Sequence, residues 1–232
     1  LLASDTTAPL AIKAFREMGG RRVVRPERTV FVIDHAAPCP NERIAGLHGM
    51  MREFAREQGV VLRDVGEGIC HQLTVESGLV KPGDLAVGAD SHTCTYGALG
   101  AFATGVGSTE LAAAMLTGKI WFKVPETIRV ELRGAFPPGV YAKDLILHLI
   151  GLVGGAGASY KSLEFYGEPL ARMPLAEKLT ACNMVVEMGA KGGVFCDGTT
   201  GMAADPAARY AKVYELDLSS LEPCVAAPHR VD

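Results

Sequence analysis

The 232-residue chain predicts an α/β fold, a larger layered α/β domain followed by a smaller second α/β domain. Three observations carry that expectation. Short apolar runs alternate with helical patterns, the strand–loop–helix order of a layered sheet. Polar residues follow three of those runs: Asp34-His35, then His71, then Asp90-Ser91-His92. Around Val124-Pro125 the character of the chain changes, which marks a boundary.

The elements follow in order. Helical spacing of Ala11, Ala14, Phe15 and Met18, with Pro9 in the first turn and Gly19-Gly20 as the stop, predicts a helix over Ala8–Met18. Thr29–Ile33 is a short apolar strand leading to Asp34. Asn41–Gln58 is helical, apolar at Ile44, Leu47, Met50, Met51 and Phe54, and Gly59 ends it. Val60–Leu62 reads as a strand, after which Gly66 and Gly68 turn the chain into Cys70-His71-Gln72. Leu85–Gly88 is a third strand, and Ser108–Thr117 a helix after a glycine-rich turn. Beyond the boundary, Ile128, Val130 and Leu132 alternate within a strand over Thr127–Leu132. Ala142–Leu152 is helical, Leu163–Tyr166 a strand, Leu175–Met188 a helix closed by Gly189, and Tyr214–Leu218 one more strand. The expected domains are 1–124, 125–212, and 213–232 as the start of a third.

Composition narrows the function classes. Lys+Arg 23 against Asp+Glu 26 gives a formal net charge of −3, which removes the electrostatic motive for nucleic acid or an anionic membrane surface. Aromatics at 6% make base-stacking platforms a poor expectation. Cysteines stand at 39, 70, 94, 182, 196 and 224 with no C-x-x-C, the pattern of reduced intracellular thiols. No run of about 18 apolar residues is present. The opening LLASDTTAPLAIKAF has neither a basic n-region with a long apolar run nor an initiator methionine. We therefore expect a cytoplasmic protein, a small-molecule partner, and a sequence that is a piece of a longer chain.

Ligands of open α/β sheets gather beyond the carboxyl ends of the strands, so the convergence of three histidines and two aspartates there is the most informative feature. Such a set suits general acid–base catalysis, a carboxylate fixing the tautomer of each imidazole and tuning it toward neutrality. It also suits a mononuclear metal, although no H-x-x-H or H-E-x-x-H spacing supports that. Gly97, Gly100, Gly105 and Gly107 either present N–H groups to an anion or let helix and sheet approach closely. This run is neither a P-loop nor a dinucleotide fingerprint, since Glu110 replaces the third glycine. Glu164, inside an apolar strand, is either solvent-facing or a further active carboxylate. Asn183 and Glu187 share a helix face and read as packing, and His48 and His148 as ordinary helix residues. Cys94 shares the Ser91 loop, but no base is shown to reach it.

At this point the chain resembles a known family. VGADSHTCTYGALGAFATGVGSTE (Val87–Glu110) is similar to a signature segment of the aconitase superfamily, in the form found in large subunits of 3-isopropylmalate dehydratases and their homoaconitase relatives. Asp5–Gly20, Phe31–Asn41, Gly68–Leu73, Lys161–Leu170, Ala181–Lys191 and Tyr214–His229 extend the likeness over nearly the whole chain. The resemblance implies an aconitase-like α/β/α layered fold and a hydro-lyase that moves water between adjacent carbons of an alkylmalate. It also implies a [4Fe–4S] cluster and a separate small subunit as partner. By motif position it assigns catalysis to Asp34, His35, His71, Asp90, His92 and Glu164, and substrate contacts to Ser91 and Thr93. The family's Thr-Cys-Thr-Asn loop and C-x-x-C are missing here. None of the six cysteines matches a ligand position, and the ligands are expected outside this chain; the alternative is a cluster-free, non-catalytic homologue that acts as a binding partner.

Overall fold

The computed structural model describes residues 1–198 and 203–232, which form two units. The first comprises Leu1–Leu79, Ala86–Thr93 and Gly105–Lys123, the second Val80–Leu85, Cys94–Thr104 and Val124–Asp232. The expected division at 124 differs from this in two respects. Residues 80–85 and 94–104 group with the second unit, and Lys212–Asp217, expected near the start of a third domain, is a strand of the second unit's sheet.

The first sheet is built from β1 (Leu2–Ser4), β2 (Val30–Val32), β3 (Val61–Arg63), β4 (Leu85–Gly88) and β5 (Phe102–Gly105), in the order β3-β2-β1-β4-β5. β1 runs parallel to both β2 and β4, and β2 parallel to β3. β1 escapes the periodicity analysis for a physical reason. Three residues buried throughout show no alternation, and a strand covered on both faces needs none.

Helices α1 (Ala8–Glu17), α2 (Glu42–Gln58), α3 (Cys70–Glu76) and α4 (Ser108–Thr117) belong to the first unit. α1 buries Ala8, Ala11, Ile12 and Phe15, the face predicted from spacing. α2 starts where the Asn41 side chain accepts the Ile44 N–H at 3.1 Å and ends at Gly59, whose φ of 74° is left-handed. Phe15 meets Phe54 edge-on with centroids 5.6 Å apart, and Phe31 stacks on Phe54 at 5.9 Å. Burying such a ring contributes about 1.5–3 kcal/mol. Two loop expectations change. Cys70-His71-Gln72 opens α3, and Ser91–Leu99 is a 3₁₀ segment.

The second sheet, of order β8-β7-β6-β9, is parallel throughout: β6 (Glu126–Arg133), β7 (Lys161–Tyr166), β8 (Gly192–Phe195) and β9 (Lys212–Asp217). Ile128, Val130, Leu132, Leu163, Phe165 and Phe195 enter one core with α5 (Ala142–Val153) and α6 (Leu175–Met184). Phe165 stacks on Phe195 at 4.7 Å. The helix expected over Leu175–Met188 tightens to 3₁₀ at Val185–Met188 before Gly189.

In this unit Gly97 answers the question left by the glycine run. A Cβ there would stand 1.5 Å from the Gly193 carbonyl oxygen, so this glycine serves close backbone approach. Gly97→Ala must displace β8 and is expected to lower stability by about 1–3 kcal/mol in chemical denaturation, the usual cost of overpacking. A wild-type midpoint would show that the approach is looser than this.

Candidate proton-transfer site

The strand order places β1 between β2 and β4, and the chain reverses its direction of growth across the sheet there. That is the switch point at which ligands of open α/β sheets bind. Because these strands are parallel, their carboxyl ends share one edge. Asp5 follows β1, Asp34 and His35 follow β2, and Asp90 follows β4. His71 sits in the first turn of α3. All five residues belong to the first unit, as does His92.

The side chains form one network. His35 Nδ1 lies 2.8 Å from Asp34 Oδ1, and His35 Nε2 lies 3.6 Å from Asp90 Oδ2. Asp90 Oδ1 is 3.2 Å from His71 Nε2 and 3.7 Å from His92 Nδ1, and it accepts the His92 N–H at 2.7 Å. One carboxylate therefore faces three imidazoles. Asp34 Oδ2 accepts the Cys70 N–H at 2.7 Å. The carboxylates are recessed, Asp34 at 5% and Asp90 at 13% side-chain exposure, whereas His35 at 40% and His92 at 38% face outward. Imidazoles in front and carboxylates behind is an arrangement for passing protons to a ligand.

The electrostatics separate the partners. For His35, burial favours the neutral form, but the hydrogen bond and charge of Asp34, with the charges of Asp90 and Asp5, outweigh it and raise the pKa. For Asp90 the His71 hydrogen bond dominates, and although burial opposes it, the carboxyl is held down at about 2. Burial raises the Cys70 thiol, and the carboxylates of Asp34 and Asp90 raise it further. Cys70 brings ligand-type atoms within 4.8 Å of Asp34 and His35, and likewise of His71 and Asp90. A buried thiol held protonated beside two carboxylates is a poor metal donor.

Other expected residues have different surroundings. Ser91 is exposed, its Oγ 3.2 Å from His92 Nδ1. Thr93 is fully buried and donates its hydroxyl to the Asp90 carbonyl at 2.7 Å, which holds the turn. Glu164 lies in the second unit, where Tyr166 donates to Oε2 at 2.6 Å and Tyr210 at 3.4 Å. The Arg129 guanidinium covers the Tyr166 ring at 3.9 Å. Cys94 donates its thiol to the Asn183 carbonyl at 3.3 Å, a structural use. Glu110 accepts the Gly107 N–H at 2.6 Å, so the third-glycine position serves as a helix cap.

Two residues at this edge fall outside the expected site: Asp5 is not singled out by the sequence, and His48 reads there as an ordinary helix residue. Asp5 and His48 are buried and lie 3.0 Å apart, Asp5 Oδ2 to His48 Nε2. A signal for His48 exists. His48, Met51 and Ala55 share one helical stripe, and a histidine on a buried stripe requires a polar partner.

The profile of the Aconitase family (aconitate hydratase) matches residues 1–202. The chain is 47% identical over 243 residues to the 3-isopropylmalate dehydratase large subunit of Elusimicrobium minutum, covering 98% of this chain and 58% of that protein. It is 50% identical over 244 residues to the protein of the same name from Syntrophus aciditrophicus, again at 98% and 58% coverage. It is also 48% identical over 246 residues to the probable methanogen homoaconitase large subunit of Methanosarcina mazei, covering 100% of this chain and 63% of that protein. The chain thus spans about three-fifths of these relatives' length.

The raised His35 pKa yields a signed prediction. Its stabilising contribution is complete below the ordinary value of 6.5 and is lost as pH rises through the folded-state value. Asp90 works in the other direction, contributing above 3.8 and losing that contribution as pH falls toward about 2. In an NMR titration the His35 ring is expected to have a midpoint above 6.5, and Asp34→Asn to lower it. Equal midpoints in the two proteins would remove Asp34 as the source.

Proposed function

The chain belongs to the aconitase family, and from that premise we propose that it supplies the acid–base half of a hydro-lyase site acting on an alkylmalate. The reaction in view interconverts 2-isopropylmalate and 3-isopropylmalate by dehydration and rehydration, a step of leucine biosynthesis. The observation that carries this reading is Asp90, within 3.2–3.7 Å of three imidazoles at the β1/β4 switch point.

Eliminating water from neighbouring carbons needs one proton given to the departing hydroxyl and one taken from carbon. His35 suits the first task. Asp34 holds Nδ1, the hydrogen bond and charge of Asp34 with the charges of Asp90 and Asp5 favour the protonated ring, Nε2 faces Asp90 Oδ2 at 3.6 Å, and the side chain is 40% exposed. His92 suits orientation of the substrate: it is exposed, held through its N–H on Asp90, and adjacent to the exposed Ser91 hydroxyl. His71, at 15% side-chain exposure, hydrogen-bonds Asp90 at 3.2 Å and holds that carboxyl down. Glu164 enters as the carboxylate that the family motif assigns to the second unit, held as a hydrogen-bond acceptor by Tyr166.

Aconitase-family dehydratases generally use a [4Fe–4S] cluster. The described residues do not fit its thiolate ligands. Cys39, Cys94, Cys182 and Cys224 donate their thiols to backbone carbonyls, and burial pushes Cys70, Cys182 and Cys196 up, against deprotonation. Any such ligands therefore come from outside these residues, and a small subunit is the expected partner, as the relatives' name of large subunit suggests. Among the described residues no helix is long and apolar enough to cross a membrane.

A homocitrate-type substrate is the second reading, favoured by the 48% identity to a protein named a probable homoaconitase large subunit. Turnover of isopropylmalate against homocitrate-type acids by the complete enzyme separates the two, and failure to turn over either class overturns the proposal. In that enzyme His92→Ala is expected to lower kcat by about 10²–10⁴-fold while circular dichroism and thermal midpoint stay unchanged. Near-wild-type turnover would remove His92 from the mechanism.

A further inference from the structure

We propose that Asp5 and His48 are positioning residues that fix the orientation of the Asp34–His35 pair, an inference that rests on the acid–base role given to His35 above. Three consecutive N–H groups of the turn after β2 converge on one carboxylate. Asp5 Oδ1 accepts from His35 at 2.9 Å and from Asp34 at 3.4 Å, and Oδ2 accepts from Ala36 at 2.9 Å. His48 Nε2 completes the set at 3.0 Å. The Asp5 side chain is 0% exposed and that of His48 2%. No lysine or arginine is among these hydrogen-bond donors, so a buried charge is balanced by backbone dipoles and one imidazole.

Turn backbone is normally hydrated and mobile. Here it is tied from below to β1, the strand between β2 and β4, and from the side to α2, which carries His48. The functional pair is then held at a second point, since Asp34 Oδ2 accepts the Cys70 N–H. Asp5 Oδ1 also stands 3.9 Å from His35 Nδ1, so displacing the carboxylate changes the field at the ring as well as the backbone beneath it. Burial of Asp5 opposes its ionisation, but the N–H groups of Ala36 and His35, with His48 and the Asp34 N–H, prevail and keep it ionised. A 1 Å displacement of a reacting group costs about 10²-fold in rate, which is the scale on which such a tie acts.

The test uses the complete enzyme with His48→Leu, His48→Gln and Asp5→Asn. Amide hydrogen exchange at residues 34–36 and steady-state kinetics are measured together. His48→Leu removes the donor and is expected to speed exchange of these three amides by about tenfold or more relative to the rest of the first unit, a loss comparable to one hydrogen bond. kcat falls about 10–100-fold with KM within about threefold. His48→Gln places an amide donor where Nε2 stood and restores both readings to near wild type. Asp5→Asn leaves one face of the carboxylate without an acceptor and has the larger effect; should it fail to fold, the two His48 variants decide the matter. Unchanged exchange in His48→Leu, or faster exchange with unchanged kcat, overturns the proposal. If the wild-type enzyme turns over no alkylmalate, the functional reading fails separately, and unchanged exchange in His48→Leu still overturns the tie itself.

Discussion

Parallel pairing of β1 with both β2 and β4 is the constraint on which the site depends. Only in a parallel arrangement do the residues leaving all three strands emerge on one edge. The pairing Ser4 with Val32 places Asp5 at the level where β2 gives way to Ile33 and Asp34, so the Asp5 carboxylate meets the backbone of the turn. A slip of one residue would turn Asp5 to the opposite face and leave those N–H groups without it. The register is secured by burial, since Leu2, Ala3 and Ser4 are buried together with Val30, Phe31 and Val32.

Three carboxylates near one edge would repel each other if they shared one environment. They do not. Asp5 is compensated by backbone N–H groups, Asp34 by the Cys70 N–H and one imidazole, and Asp90 by imidazoles and the His92 N–H. The consequence is a spread of proton affinities, with the Asp5 and Asp90 carboxyls held down and the exposed His35 ring raised. Groups whose environments push their pKa values apart are the arrangement from which acid and base roles are drawn.

The legible part of this site was the part announced by contrast. Asp34, His35, Asp90 and His92 each follow an apolar run, and polar residues at the end of such a run stand out against it. Asp5 follows a run of only three strand residues and precedes Thr6, Thr7 and Pro9, so no apolar contrast announces it. Its true partners lie about 30 residues further on and depend on register, which no local pattern reveals. His48 is visible only as a helix residue: of the expected apolar positions Ile44, Leu47, Met50, Met51 and Phe54, Met51 and Phe54 fall in the buried set with His48 and Ala55, and the other three do not. The second sheet was legible at β6, where eight residues alternate, and not at β8, where Gly192 and Gly193 interrupt the apolar pattern.

The two units surround their carboxylates differently. On β6 and β7 the face opposite the core carries Arg129, Glu131, Glu164 and Tyr166. There the Glu164 carboxylate is bound by phenols, while Arg129 pairs with Glu131 at 2.7 Å and covers the Tyr166 ring. Burial and the bond to Glu164 raise the Tyr166 hydroxyl, so it remains a donor and cannot relay a proton near neutrality. In the first unit the groups facing the carboxylates are imidazoles, which gain and lose protons within the physiological range. The Glu164 carboxylate thus meets phenolic hydroxyls whereas Asp90 meets imidazoles, so the two units offer their carboxylates different hydrogen-bond partners.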